Sequence, residues 1–474
     1  MLSSRSGRFR LRLLPRIIVF ATVAYVLSWI SGFPLQYDDE ELPPSAQRPK
    51  PSLEPFPVEP DKLVVTVKTT AVDAFAKVPP MIVMTDGRYH DNLLFMGDLH
   101  MDVGIWHIFD VLDRYDRTFL DKTPEMERYR RQLDYARRSI PLSTIREEDA
   151  TEEKEALRKL DKYKILRMLE KAWEMRPERK WYVFMDDDTY LARSNLLSWL
   201  GQFDNEKPVF FANPPSETVE PFAMGGSTII LSVQAMRSLF VDHEKLIPRW
   251  DSRLQARSSA LDVIGTVLAT ETTLKMNNTW PSITGFNPNT IPYGPGMWCE
   301  LMIAMHSVPS DLASDVFRFQ RDREEFQHVR DPLSYADLWL HFMQPENLDK
   351  ERDDWDNLSS GSDNAHWNIL FEGVDKENNA NRNQEPRAAS GEESWESCRN
   401  SCNNSDFCVQ WSYSSTEEPN YNLNPPTKCH LSRSMRFGSH VAPGREDQTT
   451  WTSGWRKDRF QAWAKQQRCK EQQN

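Results

Sequence analysis

The chain has 474 residues, 39% hydrophobic and 27% charged, with a formal net charge of -12. That length exceeds one ordinary core and predicts two or three units at about 150 residues each. The first 16 residues hold five arginines and no acid, so the remainder carries -17 and is a poor partner for nucleic acid.

Arg5, Arg8, Arg10, Arg12 and Arg16 form a basic tail, residues 1–16, ahead of an uncharged run over residues 17–35. At about 1.5 Å per residue that run is long enough for a helix to cross a hydrocarbon core of about 30 Å. Asp38, Asp39, Glu40 and Glu41 follow it. Basic before and acidic after predicts a single-pass type II membrane protein with a cytosolic tail and a lumenal or external body. A cleaved signal peptide is the competing reading. Residues 36–61 are proline-rich and polar, the composition of an extended stem.

The folded body is expected to open on a β-branched strand, Leu63 to Lys68, followed by a second buried run from Asn92 to Met96. Met81 to Thr85 reads as either strand or short helix. From Thr151 to Met175, Leu157, Leu160, Leu166, Leu169 and Trp173 recur at helical spacing and stop before Pro177. That helix feeds an apolar run, Trp181 to Met185, and a helix feeding a strand is α/β grammar. Helices are predicted over Ser194 to Phe203 and Ala260 to Thr270, and strands over Pro208 to Ala212 and Thr228 to Leu231. Residues 347–394 are polar and read as a surface excursion or a linker. Trp455, Phe460 and Trp463 near the end recur at roughly helical spacing.

The strand Trp181 to Met185 delivers three carboxylates, Asp186, Asp187 and Asp188, to the edge where open α/β sheets place their ligands. Alternate residues of an extended chain share a face, so Asp186 and Asp188 can address one object while Asp187 points away. Two hard oxygen donors on one side suit Mg²⁺ or Mn²⁺ with positions left for a diphosphate. A solvated acidic loop is the plainer alternative.

Five motifs follow one another in order: VKTT at Val67 to Thr70, DDDTY at Asp186 to Tyr190, FAMGGST at Phe222 to Thr228, LDVIGTVLA at Leu261 to Ala269, and WCELMIAMHSV at Trp298 to Val308. In that order they resemble glycosyltransferase family 31, closest to its fungal fringe-like branch, over roughly residues 62–346. The resemblance implies a GT-A (Rossmann-like) fold, a UDP-sugar donor, Mn²⁺ (Mg²⁺ as the alternative), a glycan acceptor, and inversion at the anomeric carbon. It implies a metal site of Asp186, Asp188 and His306, and a catalytic base at Asp262. Asp262 stands in a segment where Leu261 replaces an acid and the spacing to glycine is one residue short; a helix-terminal aspartate is the alternative role. Thr69, Thr70, Asp98, Asp187, Gly225 and Gly226 fall where the family binds the nucleotide sugar, and Trp298 is a candidate platform for an acceptor sugar, with a core tryptophan as the alternative. The implied activity is β-1,3-galactosyl transfer in the Golgi; N-acetylglucosaminyl transfer, or a non-catalytic binding protein, are the rivals.

Five of the six cysteines lie after residue 397, which in a secretory compartment reads as disulfides. Residues 395–455, with C-x3-C-x5-C and a later Cys429, resemble a PAN/apple module, a small α+β unit. That resemblance implies the pairs Cys398 with Cys429 and Cys402 with Cys408, and a protein or glycan partner. Cys299 and Cys469 then remain, either bridged to each other and tying residues 456–474 to the catalytic part, or apart with Cys469 pairing between chains. Sequons at Asn277, Asn357 and Asn403 are candidate N-glycosylation sites.

Overall fold

A computed structural model describes residues 58–147, 150–213, 228–243, 245–272, 274–294, 296–325, 332–343, 348–359, 391–416, 427–442, 448–467 and 469. The predicted membrane run, the stem, Gly225 and Gly226 lie outside these residues. Among the described residues no helix is long and apolar enough to cross a membrane.

Valines at alternate and adjacent positions make β1 (Leu63–Lys68) buried on both faces, the signature of a central parallel strand. After it comes α1 (Ala74–Val83), so Met81 to Val83 are helical. The strands β2 (Leu93–Gly97), β3 (Met101–Val103) and β4 (Trp106–Asp110) follow. The long helix α2 (Ala150–Met175) then leads to β5 (Trp181–Asp186). With β7 (Phe210–Ala212), β8 (Ile229–Ser232) and β9 (Asn277–Asn278), these strands form one sheet in the order β3-β4-β2-β1-β5-β8-β7-β9. The central strands β4, β2, β1 and β5 are parallel, and β8 joins β5 antiparallel.

One face of this sheet packs Val64, Met96, Tyr182 and Phe184 against Leu160, Leu166, Leu169 and Ala172 of α2. Its other face packs Val65, Val67, Phe95 and Val183 against Ala74 and Val78 of α1. Helix, sheet and helix therefore form three layers, and the carboxyl ends of β1 and β5 emerge together at one edge. A second, three-stranded sheet of β6 (Tyr190–Leu191), β10 (Ile283–Thr284) and β11 (Ala304–Met305) crosses that edge. Between β8 and β10, the short helix α3 (Ala260–Val267) lies against α2.

The chain closes with α4 (Tyr335–Phe342), α5 (Trp395–Asn404) and α6 (Lys457–Ala464) around a four-stranded sheet. That sheet orders β12 (Arg352–Asp353), β17 (Thr449–Trp455), β14 (Gln410–Thr416) and β15 (Thr427–Ser432), while β13 (Trp355–Asp356) and β16 (Ser439–His440) form a separate antiparallel pair. Disulfides Cys398–Cys429 and Cys402–Cys408 join α5 to this unit, and Cys299–Cys469 joins its end to the segment before β11. Gly454 is required, because a Cβ there would lie 2.6 Å from the Trp411 ring.

Three expectations are corrected. The polar stretch 347–394 is not a linker throughout, since Arg352 and Asp353 pair with Ser453 and Thr452. Asn357 is fully buried, donating to the carbonyls of Trp411 and Gly454, so it has no room for a glycan; Asn277 and Asn403 are exposed. Trp298 is 8% exposed and meets the rings of Trp339, Phe460 and Trp463, so it is a core residue and not a sugar platform.

That aromatic cluster belongs to one core that also contains Tyr190, Met302 and Met305 beside the carboxyl edge of the large sheet and Val409, Met435 and Trp455 of the closing unit. A shared core makes unfolding of the two parts cooperative. Phe460→Ala is therefore expected to cost about 3–5 kcal/mol and to shift a single urea transition. Two separated transitions, with the larger sheet unmoved, would show the two parts to be independent.

Candidate functional site

The site grows from the end of β5. The pairing of β1 with β5 sets Lys68 beside Asp186. The Asp187 amide donates to the Lys68 carbonyl at 3.0 Å, keeping the chain alongside β1 for one more residue. Thr189 then donates to the Asp186 carbonyl at 3.1 Å and turns the chain into β6. Because Met305 of β11 pairs with Tyr190, the residue after β11, His306, comes back beside Asp188 and Thr189. Its amide is fixed to the Thr284 carbonyl at 2.9 Å. The next residue, Ser307, holds a left-handed φ of 57°, a costly conformation for a residue with a Cβ.

The side chains divide by face. One donor atom each from Asp186, Asp188 and His306 lies within 4.8 Å of the others. His306 Nδ1 is 3.0 Å from Asp188 Oδ1, which is buried and, among the described residues, has no hydrogen bond beyond that ion pair. Asp187 points the other way, accepting from the Thr69 hydroxyl at 2.6 Å and from Lys77 at 3.0 Å. Lys68 Nζ, 2.9 Å from Asp186, is also paired with Asp161 of α2.

Burial pushes each of these carboxyl groups up, and the neighbours decide the outcome. For Asp186 the charge of Lys68, helped by His306, outweighs burial and lowers the pKa. For Asp188 the hydrogen bond and charge of His306 do the same. Asp187 remains pushed up to about 6, because Lys77 and Thr69 offset burial only in part. Burial would lower His306, but its hydrogen bond to Asp188 and the charges of both carboxylates raise it.

Two carboxylates and an imidazole within one ligand sphere form a donor set suited to Mn²⁺, with the nitrogen favouring it over Mg²⁺. The imidazole must be neutral to serve as a ligand, so a metal bound there would displace its proton.

The remaining candidates are placed as follows. Thr69 is 1% exposed, with its hydroxyl committed to Asp187, and Thr70 donates to Asp73 at 2.9 Å. Asp98 is fully buried, accepting from the Ala71 amide at 2.7 Å and pairing with Lys164 at 2.9 Å. Both Thr69 and Asp98 therefore build the site from behind and are not open to a nucleotide. Asp262 sits in the first turn of α3, beyond Ser259 as N-cap. Its Oδ2 accepts from the Ser258 amide at 2.8 Å and hydroxyl at 3.1 Å, while Oδ1 has only longer contacts, to Thr266 at 3.2 Å and Arg257 at 3.4 Å. Burial would raise this carboxyl, and the bonds from Ser258 with the charge of Arg257 lower it. Arg158 and Lys162 of α2 bind the carbonyls of Ser258 and Arg257, so Asp262 stands by the amino-terminal half of α2, at the sheet's carboxyl edge. It makes no direct contact with the Asp186, Asp188 and His306 cluster among the described residues.

Lys68, Lys77, Asp161 and Lys164 also build the site and are not among the residues the sequence predicts there. The only local signal for the first is its place at the end of a buried strand within VKTT.

Residues 133–253 match the family model described as Fringe-like. The matched stretch contains α2, β5 and all three aspartates, and ends before Asp262 and His306. This supports the family 31 resemblance and suggests a glycosyltransferase. A comparison with curated proteins finds no match.

The His306–Asp188 pair gives a pH prediction for the metal-free protein. A raised imidazole stabilises the fold below its ordinary value of about 6.5, and that contribution disappears as pH rises through the raised value. A lowered Asp188 contributes above the usual carboxylate value of about 3.9 and ceases to do so as pH falls through the lowered value. The stability gap between wild type and His306→Gln in chelator is thus expected to be wider near pH 5.5 than near pH 9. Urea midpoints measure it, and a gap that grows with pH would contradict the pairing.

Proposed function

We propose that the protein is an inverting β-1,3-glycosyltransferase that uses a UDP-sugar donor, galactose first, with a GT-A catalytic part. The observation that carries this reading is the convergence of Asp186, Asp188 and His306 at the carboxyl edge of the parallel strands, within and beside a Fringe-like segment. Those three residues would hold Mn²⁺, which when bound supplies positive charge to a departing diphosphate. Lys77, on α1 and one-third exposed, is paired with Asp187 on the other face and holds that carboxylate away from the cluster.

The proposed chemistry assigns the base to Asp262. The acceptor hydroxyl oxygen attacks the anomeric carbon from the face opposite UDP, the bond to UDP breaks with its electron pair, and the hydroxyl proton passes to the carboxylate. Oδ1 is the less tightly held oxygen, and the acceptor hydroxyl would replace one of its two longer contacts, Thr266 at 3.2 Å or Arg257 at 3.4 Å. The bonds from Ser258 keep the group ionised and oriented.

The rest of the reading is anchorage and partners. We place the body in the Golgi lumen, held by the span at residues 17–35 in type II orientation. The closing disulfide-bonded unit we read as PAN/apple-like, offering a surface to a protein or glycan.

Three measurements test the function. The purified protein with Mn²⁺ should release UDP from UDP-galactose in preference to UDP-N-acetylglucosamine, and release from neither would remove the enzyme reading. Asp188→Ala and His306→Ala should each weaken UDP binding in Mn²⁺ by calorimetry; unchanged, metal-dependent affinity in both would move the metal elsewhere. Asp262→Asn should lower kcat by about 10² to 10⁴ with UDP affinity nearly intact. A variant retaining half its turnover returns Asp262 to a helix-terminal role.

A further inference from the structure

Beneath the carboxyl edge of the sheet, five ionisable side chains run in alternating sign. Asp98 Oδ2 is 2.9 Å from Lys164 Nζ, which is 3.1 Å from Asp161 Oδ1. Asp161 Oδ2 is 2.5 Å from Lys68 Nζ, which is 2.9 Å from Asp186 Oδ1. Asp98 and Lys164 are wholly buried, and the other three are about four-fifths buried. Asp161 and Lys164 are three residues apart on α2, so one helical turn supplies the middle of the chain. At the far end Asp98 grips the Ala71 amide at 2.7 Å, just after β1.

Stability alone is a poor reason for this arrangement, since apolar side chains of similar volume usually serve a core as well as buried ion pairs do. A cation 2.9 Å from a candidate metal ligand also opposes, by its charge, the binding of a second cation. The geometry supplies a different reason. Lys68 is fastened on one side to a helix that packs across the sheet, and on the other it takes one oxygen of Asp186. Holding Oδ1 fixes the plane of that carboxylate, which also offers one oxygen to the cluster with Asp188 and His306.

We propose that Lys68, anchored by Asp161, is a positioning residue that fixes the Asp186 carboxylate for cation binding. This rests on the metal centre of the proposed function. It reverses the sign that charge alone predicts: Lys68 strengthens cation binding although it is itself a cation.

The experiment is a Mn²⁺ titration followed by the electron paramagnetic resonance of free Mn²⁺, on wild type, Lys68→Met, Asp161→Asn and the double variant. Partners behind a metal ligand are typically worth about 10- to 100-fold in affinity, so Lys68→Met is expected to bind at least about tenfold more weakly. Asp161→Asn keeps the size of the side chain and releases Lys68 wholly to Asp186, so it too should weaken binding. The double variant should be no worse than the poorer single one, because both act through one carboxylate. Thermal melts establish that each variant is folded, and the isosteric Asp161→Asn serves if Lys68→Met is not.

Equal or tighter Mn²⁺ binding by the folded variants overturns the proposal. Absence of Mn²⁺ binding by wild type overturns the metal centre itself. In that event hydrogen exchange of the Asp186 to Thr189 amides in metal-free protein judges the positioning: faster exchange in Lys68→Met alone, with β2 unchanged, supports it, and no change refutes it.

Discussion

The parallel pairing of β1 with β5 is the constraint on which the rest of the structure depends. Six residues of each strand are in register, and the last pair is Lys68 with Asp186. Parallel strands cannot be joined by a tight turn, so the chain must cross over, and here the crossover ends in α2. The same helix that makes the pairing possible carries Asp161 and Lys164 to the sheet's carboxyl edge. Fold and site electrostatics thus come from a single connection. Once β5 is in place, its alternation sends Asp187 toward Thr69 and Lys77, leaving Asp186 and Asp188 for the cluster.

The parts of this that a sequence exposes are those with a local pattern. An apolar run ending in three acids, a leucine stripe at helical spacing, and cysteines crowded near the end each carry a period or a density that can be counted. The division of the aspartates between two faces follows from strand geometry alone. Buried polar residues carry no such pattern. Lys164 has the chemistry of a surface residue, and its burial is tolerable because Asp98, 66 positions away in the chain, joins Asp161, one turn back on α2, in pairing with it. Asn357 lies in a polar stretch and still reaches the core, because its amide finds the carbonyls of Trp411 and Gly454. Partners this distant are set by topology.

Trp298 shows the converse. A tryptophan beside a candidate site invites a functional role, yet its ring faces three aromatic partners, two of them on α6 at the other end of the chain. Aromatic pairs of this kind add about 0.5–1.5 kcal/mol each beyond the area they bury. Arg459, one residue before Phe460, binds the carbonyls of Cys402, Asn403 and Cys408, so α6 is fastened to the closing unit as well as to Trp298.

That attachment bears on His306. The strand before it, β11, is two residues long, and so are both its neighbours, β6 and β10. Sheets this small are marginal without packing from outside. Here the packing comes through Met305 of the strand and Met302 just before it, which share a core with Trp339, Met435 and Phe460. Asn195 clamps the same segment, donating to the carbonyls of Met302 and Leu333 and accepting from the Leu333 amide. The left-handed Ser307 needs surroundings that over-determine it, and these contacts supply them. The two aspartates of the cluster are thus held by the large sheet, while its histidine is held by a core that the end of the chain completes. The closing unit is accordingly part of the site's framework, whatever else its outer surface does.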